Sequence, residues 1–166
     1  PDSSFSVLNF EADWYFNQEL INTGTGINTG IDVTLERFLK DGYYFLFTAS
    51  LFDSKFKGDD GIEHNTRFNT RYVFNLLGGK EWTLGSLKNK ILGANVRVNI
   101  MGGKRATPVD EYQSVLAQDV VFDNSRLYDD RERAMFYVGA TINYRVNKRN
   151  RSSIWSLQIM NLLLRQ

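Results

Sequence analysis

Residues 91–101, Ile91-Leu92-Gly93-Ala94-Asn95-Val96-Arg97-Val98-Asn99-Ile100-Met101, decide the fold. Leu92, Ala94, Val96, Val98 and Ile100 alternate with Gly93, Asn95, Arg97 and Asn99. An extended chain therefore gathers every apolar side chain on one face and every polar or small one on the other. Residues 136–146, FYVGATINYRV, repeat the pattern, with Phe136, Val138, Ala140, Ile142, Tyr144 and Val146 against Gly139, Thr141, Asn143 and Arg145; only Tyr137 interrupts it.

The same period continues outward in both directions. Residues 26–39 set Ile31, Val33 and Leu35 opposite Gly30, Asp32, Thr34 and Glu36. After Lys40-Asp41-Gly42 the chain returns through Tyr43, Phe45, Phe47, Ala49 and Leu51, and Asp-Gly between two such runs is a strong hairpin signal. Residues 71–79 place Tyr72, Phe74 and Leu76 on one face, with Arg71, Asn75 and Gly79 on the other; residues 153–164 bring Trp155, Leu157 and Ile159 together. The pattern predicts about six strands of roughly nine to fourteen residues, longer than the usual five to six.

Composition agrees with strands and excludes several other classes. The 166 residues are 42% hydrophobic, 23% charged and 14% aromatic, with 2 prolines, 13 glycines and no cysteine. That excludes a disulfide-stapled module, a thiolate metal site, a cysteine nucleophile and proline-rich disorder. A net charge of +1 creates no field toward nucleic acid, so no nucleic-acid partner is expected. Length alone suggests one ordinary soluble domain. The longest strongly apolar stretch, Tyr43 to Phe52, is about half the ~20 residues a spanning helix needs. The chain starts at Pro1 with no basic segment leading into an apolar core, so it is read as a mature chain or a piece of one, without a targeting signal.

Connections between the strands alternate in length: short at 40–42, long at 55–66, short at 83–90, very long at 103–132 and short at 147–152. In an up-and-down sheet alternate connections share an end, so all short turns fall on one side, as in outer-membrane barrels. Phe38, Tyr43, Trp82, Tyr144 and Trp155 all lie within a few residues of the short turns, the placement expected of an aromatic girdle at a bilayer interface. Large rings capping a soluble core are the competing reading.

Few residues point to chemistry. The single histidine, His64, lies in a hydrophilic loop and reads as solvated. Gly24 to Gly30 misses the dinucleotide fingerprint and leads into a strand, so it reads as a flexible strand entry. No catalytic residue, cofactor or metal is expected. The informative charges are Asp32 and Glu36, Arg67 and Arg71, Arg97, and Arg145, all read as lying on polar strand faces. If the apolar faces meet lipid, these six form a lumenal ion-pair network. An outward charge near the midplane would cost roughly 2 to 4 kcal/mol. Trp14, Tyr15, Tyr112 and Tyr128 are candidate ligand-stacking residues of the N-terminal segment and the longest loop, with packing of the loops on one another as the plainer role.

Taken in order, residues 24–61, the stretch NTRFNTRYVFNLLGGKEW (65–82), GGKRATPVD (102–110) and residues 155–166 resemble the C-terminal barrel region of TonB-dependent outer-membrane receptors of the Bacteroidetes type. The resemblance implies an antiparallel up-and-down transmembrane β-barrel segment spanning 1–166, part of a larger barrel of about 22 strands around a plug. It implies import of a scarce or large nutrient such as a siderophore, vitamin, glycan or peptide. The partners it implies are outer-membrane lipid, the plug and remaining barrel strands, and a TonB energy-transducing complex acting through an N-terminal part. The expected location is the bacterial outer membrane, with no enzymatic role. About six strands cannot close a barrel, for which about eight is the minimum. The chain is therefore read as a fragment with unpaired edge strands. Two other readings are a soluble β-sandwich or barrel acting as a binding module, and a membrane-embedded hydrolase using His64.

Overall fold

The computed structural model describes residues 24–58 and 61–163. In chain order it contains β1 (Thr25–Lys40), β2 (Tyr43–Lys57), β3 (Glu63–Asn65), β4 (Tyr72–Leu84), β5 (Lys90–Met101), β6 (Arg105–Ala106), helix α1 (Glu111–Ala117), a 3-10 turn (Asn124–Arg126), β7 (Asp130–Arg131), β8 (Met135–Lys148) and β9 (Arg151–Ile159). The fold is all-β. Strands β1-β2-β4-β5-β8-β9 follow one another in space in that order, with β3 added along β2. The ladders β2–β3, β2–β4, β4–β5, β5–β8 and β8–β9 are antiparallel, which gives the up-and-down topology that the alternating connections predict. Among the described residues the sheet does not close: β1 and β9 are its two ends.

Three boundaries differ from the sequence reading. β4 runs on to Leu84, past Gly78 and Gly79, two residues that ordinarily weaken a strand. Here Gly79 pairs with Tyr44 on one side and Asn95 on the other, and the Tyr44 ring lies where a Gly79 side chain would be. An aromatic ring laid over a strand glycine restores the missing packing. β9 stops at Ile159 rather than reaching Leu164, because Asn161 adopts the left-handed conformation at φ 54°. Beyond that kink the Leu162 amide still donates to the Val138 carbonyl at 2.8 Å. The third difference is β1, which begins at Thr25, so the glycine-rich entry is already strand.

The Asp41-Gly42 turn has positive φ at both residues, 57° and 80°, as a two-residue hairpin of matching twist requires. Gly42 is needed for a second reason: a Cβ there would stand 2.6 Å from the Glu81 carbonyl oxygen. That neighbourhood is closed by the Glu81 amide, which donates to the Gly42 carbonyl at 2.7 Å.

The chain divides into two compact units, with the boundaries falling inside β1 and β2. Of the described residues, one takes in 24–31, those within Phe52–Arg71, and Gly102–Arg133; the other takes in Asp32–Leu51, Tyr72–Met101 and 134–163. The second holds the long ladders. β4 and β5 pair over twelve positions from Val73↔Met101 to Leu84↔Lys90, and β5 and β8 over twelve from Lys90↔Val146 to Met101↔Met135.

The first unit is organised around Phe56, which is 2% exposed. Its ring lies 5.6 Å from that of His64 and meets the Tyr128 ring edge-on at 6.3 Å. Tyr128 is also buried, as are Asn69 and Thr70. Asn69 donates through Nδ2 to Asp53 Oδ1 and to Asn65 Oδ1, both at 2.8 Å. Within residues 102–133 the chain adds features that alternation could not reveal. Helix α1 is capped by Asp110, whose carboxylate accepts from the Gln113 amide at 2.9 Å, and ends at Gln118 in the left-handed region. β6 and β7 form a small two-stranded ladder, Arg105↔Arg131. Gly103 lies so close beneath the Glu132 carbonyl that no side chain would fit there.

Candidate functional site

Register places the side chains of the second unit on two contrasting faces. One cross-strand row reads Phe47, Leu76, Val98 and Val138; the next reads Phe45, Gly78, Val96, Ala140 and Ile159. A third reads Tyr43, Lys80, Ala94, Ile142 and Leu157, with Lys80 the one charge among these three rows. The apolar residues of separate strands thus join into one continuous surface. They are not covered: Leu76, Val96, Ile142, Leu157 and Ile159 are each between 45% and 62% exposed. A contiguous exposed apolar surface of this extent marks a place where protein or lipid belongs.

The opposite face gathers the polar residues, with Leu46, Val73, Leu77 and Ile91 among them, and is tied across the strands. Asn75 donates to Thr48 Oγ1 at 2.9 Å and accepts from Asn99 Nδ2 at 2.6 Å, so one hydrogen-bonded chain crosses β2, β4 and β5. Ser156 bonds to Asn143 between β9 and β8. Replacing Asn75 by Ala removes both links and leaves its partners short of a bond. We expect a loss of about 1–2 kcal/mol, read as a lower denaturant midpoint of the folded chain.

Aromatic rings gather at the short-turn end of the apolar face. Trp82, Leu92, Tyr144 and Trp155 form a single cross-strand row, and the Tyr144 and Trp155 rings stack at 5.9 Å. Tyr43 stands opposite Lys80, one step inside that row. The Lys80 ammonium donates to the Tyr43 hydroxyl at 2.6 Å and lies 4.3 Å from its ring centre and 5.3 Å from that of Trp82. Phe38 is 78% exposed near the end of β1 and alternates with Ile31, Val33 and Leu35 instead of joining them.

The six charges read as one network do not share strand faces. Arg67 lies in a turn, and Arg71 precedes β4 with a left-handed φ of 68°, so neither sits on a strand face. The pattern RYVFNLL suggested a strand beginning at Arg71, but the chain kinks there, with the Arg71 carbonyl accepting from the Phe52 amide at 2.9 Å. Arg97 and Arg145 are on the polar face of the second unit, by register with Gly139 and Ile91. Arg145 pairs with Glu81 at 4.0 Å, beside Gly93, which carries no side chain between them. A recess of about 290 Å³ is lined there by Glu81, Ile91, Gly93, Asn143, Arg145 and Ile154. Glu81 was missed in the sequence because its partner lies 64 residues away and only register joins them. Asp32 and Glu36 are exposed on β1, on the side of that strand opposite Ile31, Val33 and Leu35.

Loop residues also take new roles. His64, read as solvated, is 6% exposed and packs on Phe56. Tyr128 spends its ring on the same small core, which removes it from the surfaces a ligand could stack on. Tyr112, on α1, is 72% exposed. Trp14 and Tyr15 lie outside the described residues. In β2 beyond its pairing with β4, the Lys55 ammonium donates to Glu63 Oε1 at 2.6 Å. Arg105 is shifted below the ordinary arginine value, first by burial and then by the neighbouring Arg131 and Arg71; its Nη1 donates to the Asp129 carbonyl at 2.9 Å.

No protein-family profile, no curated protein and no solved structure matches this chain. No helix among the described residues is long and apolar enough to cross a membrane, a fact that bears on helices alone.

Proposed function

We propose that the chain is part of the wall of an outer-membrane β-barrel, of the TonB-dependent receptor kind that its sequence resembles, and that the complete protein imports a scarce or large nutrient. The observation that carries this reading is the exposed apolar face running across neighbouring strands, backed by a polar hydrogen-bonded face and ended by a row of Trp and Tyr. Lipid outside, polar lumen inside and aromatic residues at the interface are the three features of such a wall. Strand length agrees: β1, β2, β4, β5 and β8 have 12 to 16 residues, and about 9–11 tilted residues cross the hydrocarbon layer. A soluble sandwich would need a second layer over the same face, whose side chains are half exposed.

In this reading the wall itself performs no catalysis. Its partners are membrane lipid, flanking barrel strands, a plug and, through the plug, a TonB energy-transducing complex. The test is tryptophan quenching in vesicles with a Trp14→Phe variant, which leaves Trp82 and Trp155 as reporters. Quenchers near the lipid headgroups are expected to act more strongly than quenchers at the acyl-chain ends. Recovery in the aqueous phase, with no quenching from either depth, of this chain and of the complete protein that contains it would refute the wall. A plug-encoding segment upstream in the same reading frame would support the receptor assignment.

A further inference from the structure

Beyond the aromatic row, two of the three short turns carry charge of one sign, while the third, at 40–42, holds Asp41 paired with Arg37 at 3.6 Å. Residues 84–90 and 147–151 hold Lys88, Lys90, Lys148, Arg149 and Arg151 and no acidic residue. All five are exposed. Lys148 stands directly opposite Arg151 in the β8–β9 ladder, with Arg149 in the turn between them. Like charges directly opposed across a sheet repel, and neither segment supplies an acid to offset them. The two connections are also held together. The Asn147 amide donates to the Asn89 carbonyl at 2.8 Å, and Asn89 Nδ2 donates back to the Asn147 carbonyl at 3.2 Å.

Position makes this clustering informative. Lys90 lies one alternation outward from Leu92 of the aromatic row, while Lys148 and Arg151 lie two outward from Tyr144 and Trp155. At about 3.3 Å per residue these are roughly 7 and 13 Å along the strands, on the same face as the rings. Lys80 lies one alternation inside that row, its ammonium held against the Tyr43 and Trp82 rings. A face that is apolar, then aromatic, then cationic follows the layering of acyl chain, interface and phosphate in a bilayer leaflet.

We propose that the short-turn end is a docking surface for anionic phospholipid headgroups, with Lys90, Lys148 and Arg151 meeting the headgroup phosphates of the adjoining leaflet. The proposal rests on the barrel-wall reading and adds the lipid class that the wall selects. The 166-residue chain would be folded into vesicles of phosphatidylcholine alone and into vesicles containing phosphatidylglycerol, and its partition measured by flotation at low salt. We expect a preference for the phosphatidylglycerol vesicles of about fivefold per engaged charge. Lys90→Gln/Lys148→Gln/Arg151→Gln should remove on the order of 100-fold of that preference. Lys90→Arg/Lys148→Arg/Arg151→Lys, which keeps every charge, should retain it.

Insertion into both vesicles with equal affinity would overturn the headgroup proposal and leave the wall reading standing. So would an undiminished preference in the Gln variant, or loss of preference in the charge-retaining one. Failure to enter either vesicle, by this chain and by the complete barrel that contains it, would refute the wall and the headgroup surface together.

Discussion

Val96→Arg should weaken insertion into a phosphatidylcholine bilayer by about 2–4 kcal/mol, which is roughly thirtyfold to nearly a thousandfold in the membrane-bound fraction. Val96 occupies the middle of the apolar alternation in β5, between Gly78 of β4 and Ala140 of β8, and it is 48% exposed. A guanidinium there is presented to hydrocarbon with no lumen to turn toward and no carboxylate beside it in its row. Asn95→Arg, one residue away on the polar face, is the control and should insert nearly as well as the parent chain. The measurement is the fraction recovered with floated vesicles after dilution from urea. In a soluble sandwich the order of effects changes: Val96→Arg would disrupt a core in water, and its cost would appear as lost folding without any membrane present.

Phe56→Ala should be the most damaging single truncation in the unit containing residues 102–133, at about 3–5 kcal/mol. Among the described residues Phe56 is one of the few side chains with almost no exposure, and it is the common neighbour of His64 and Tyr128. Removing the ring leaves a cavity beneath two aromatic residues. It also takes the support from Tyr128, whose φ of 56° is unfavourable for a side chain with a Cβ and is tolerated only where surrounding packing holds it. Protease cleavage within residues 102–133, compared between variant and parent, reports the effect. Phe56→Leu should recover much of the loss, because it restores most of the buried apolar volume.

These expectations draw on unequal parts of the sequence. The alternation in residues 91–101 and 136–146 was sufficient to locate β5 and β8 and to assign each side chain to a face, because a strand's period of two is a local property. The same logic overreached at Arg71, where an alternating pattern continues through a residue that takes a left-handed turn. Residues 103–132 look like one long hydrophilic connection, yet they contain a capped helix, a short ladder and part of a buried core. His64 and Tyr128 are separated by 64 residues, and no periodicity links either of them to Phe56.

Of the proposed site, the aromatic residues near the short turns were legible one by one, since each lies close to a recognisable turn signal. Their arrangement was not. Trp82, Tyr144 and Trp155 share a row only because three ladders hold their registers, and Lys80 sits between two rings only because Tyr43 faces it across β2 and β4. The cationic band has the same origin: Lys88 and Lys90 are distant in sequence from Lys148, Arg149 and Arg151, and the Asn89–Asn147 bonds bring their connections together.

By itself, the sequence determined that this protein is built of long antiparallel strands with one apolar and one polar face, because neighbouring residues on an extended chain must point opposite ways. Tertiary structure alone decided which residues of different strands meet: Glu81 with Arg145, Lys80 with Tyr43, and Tyr144 with Trp155. The physical reason is register, since a slip of one residue between two strands would send every one of the cross-strand partners to the opposite face.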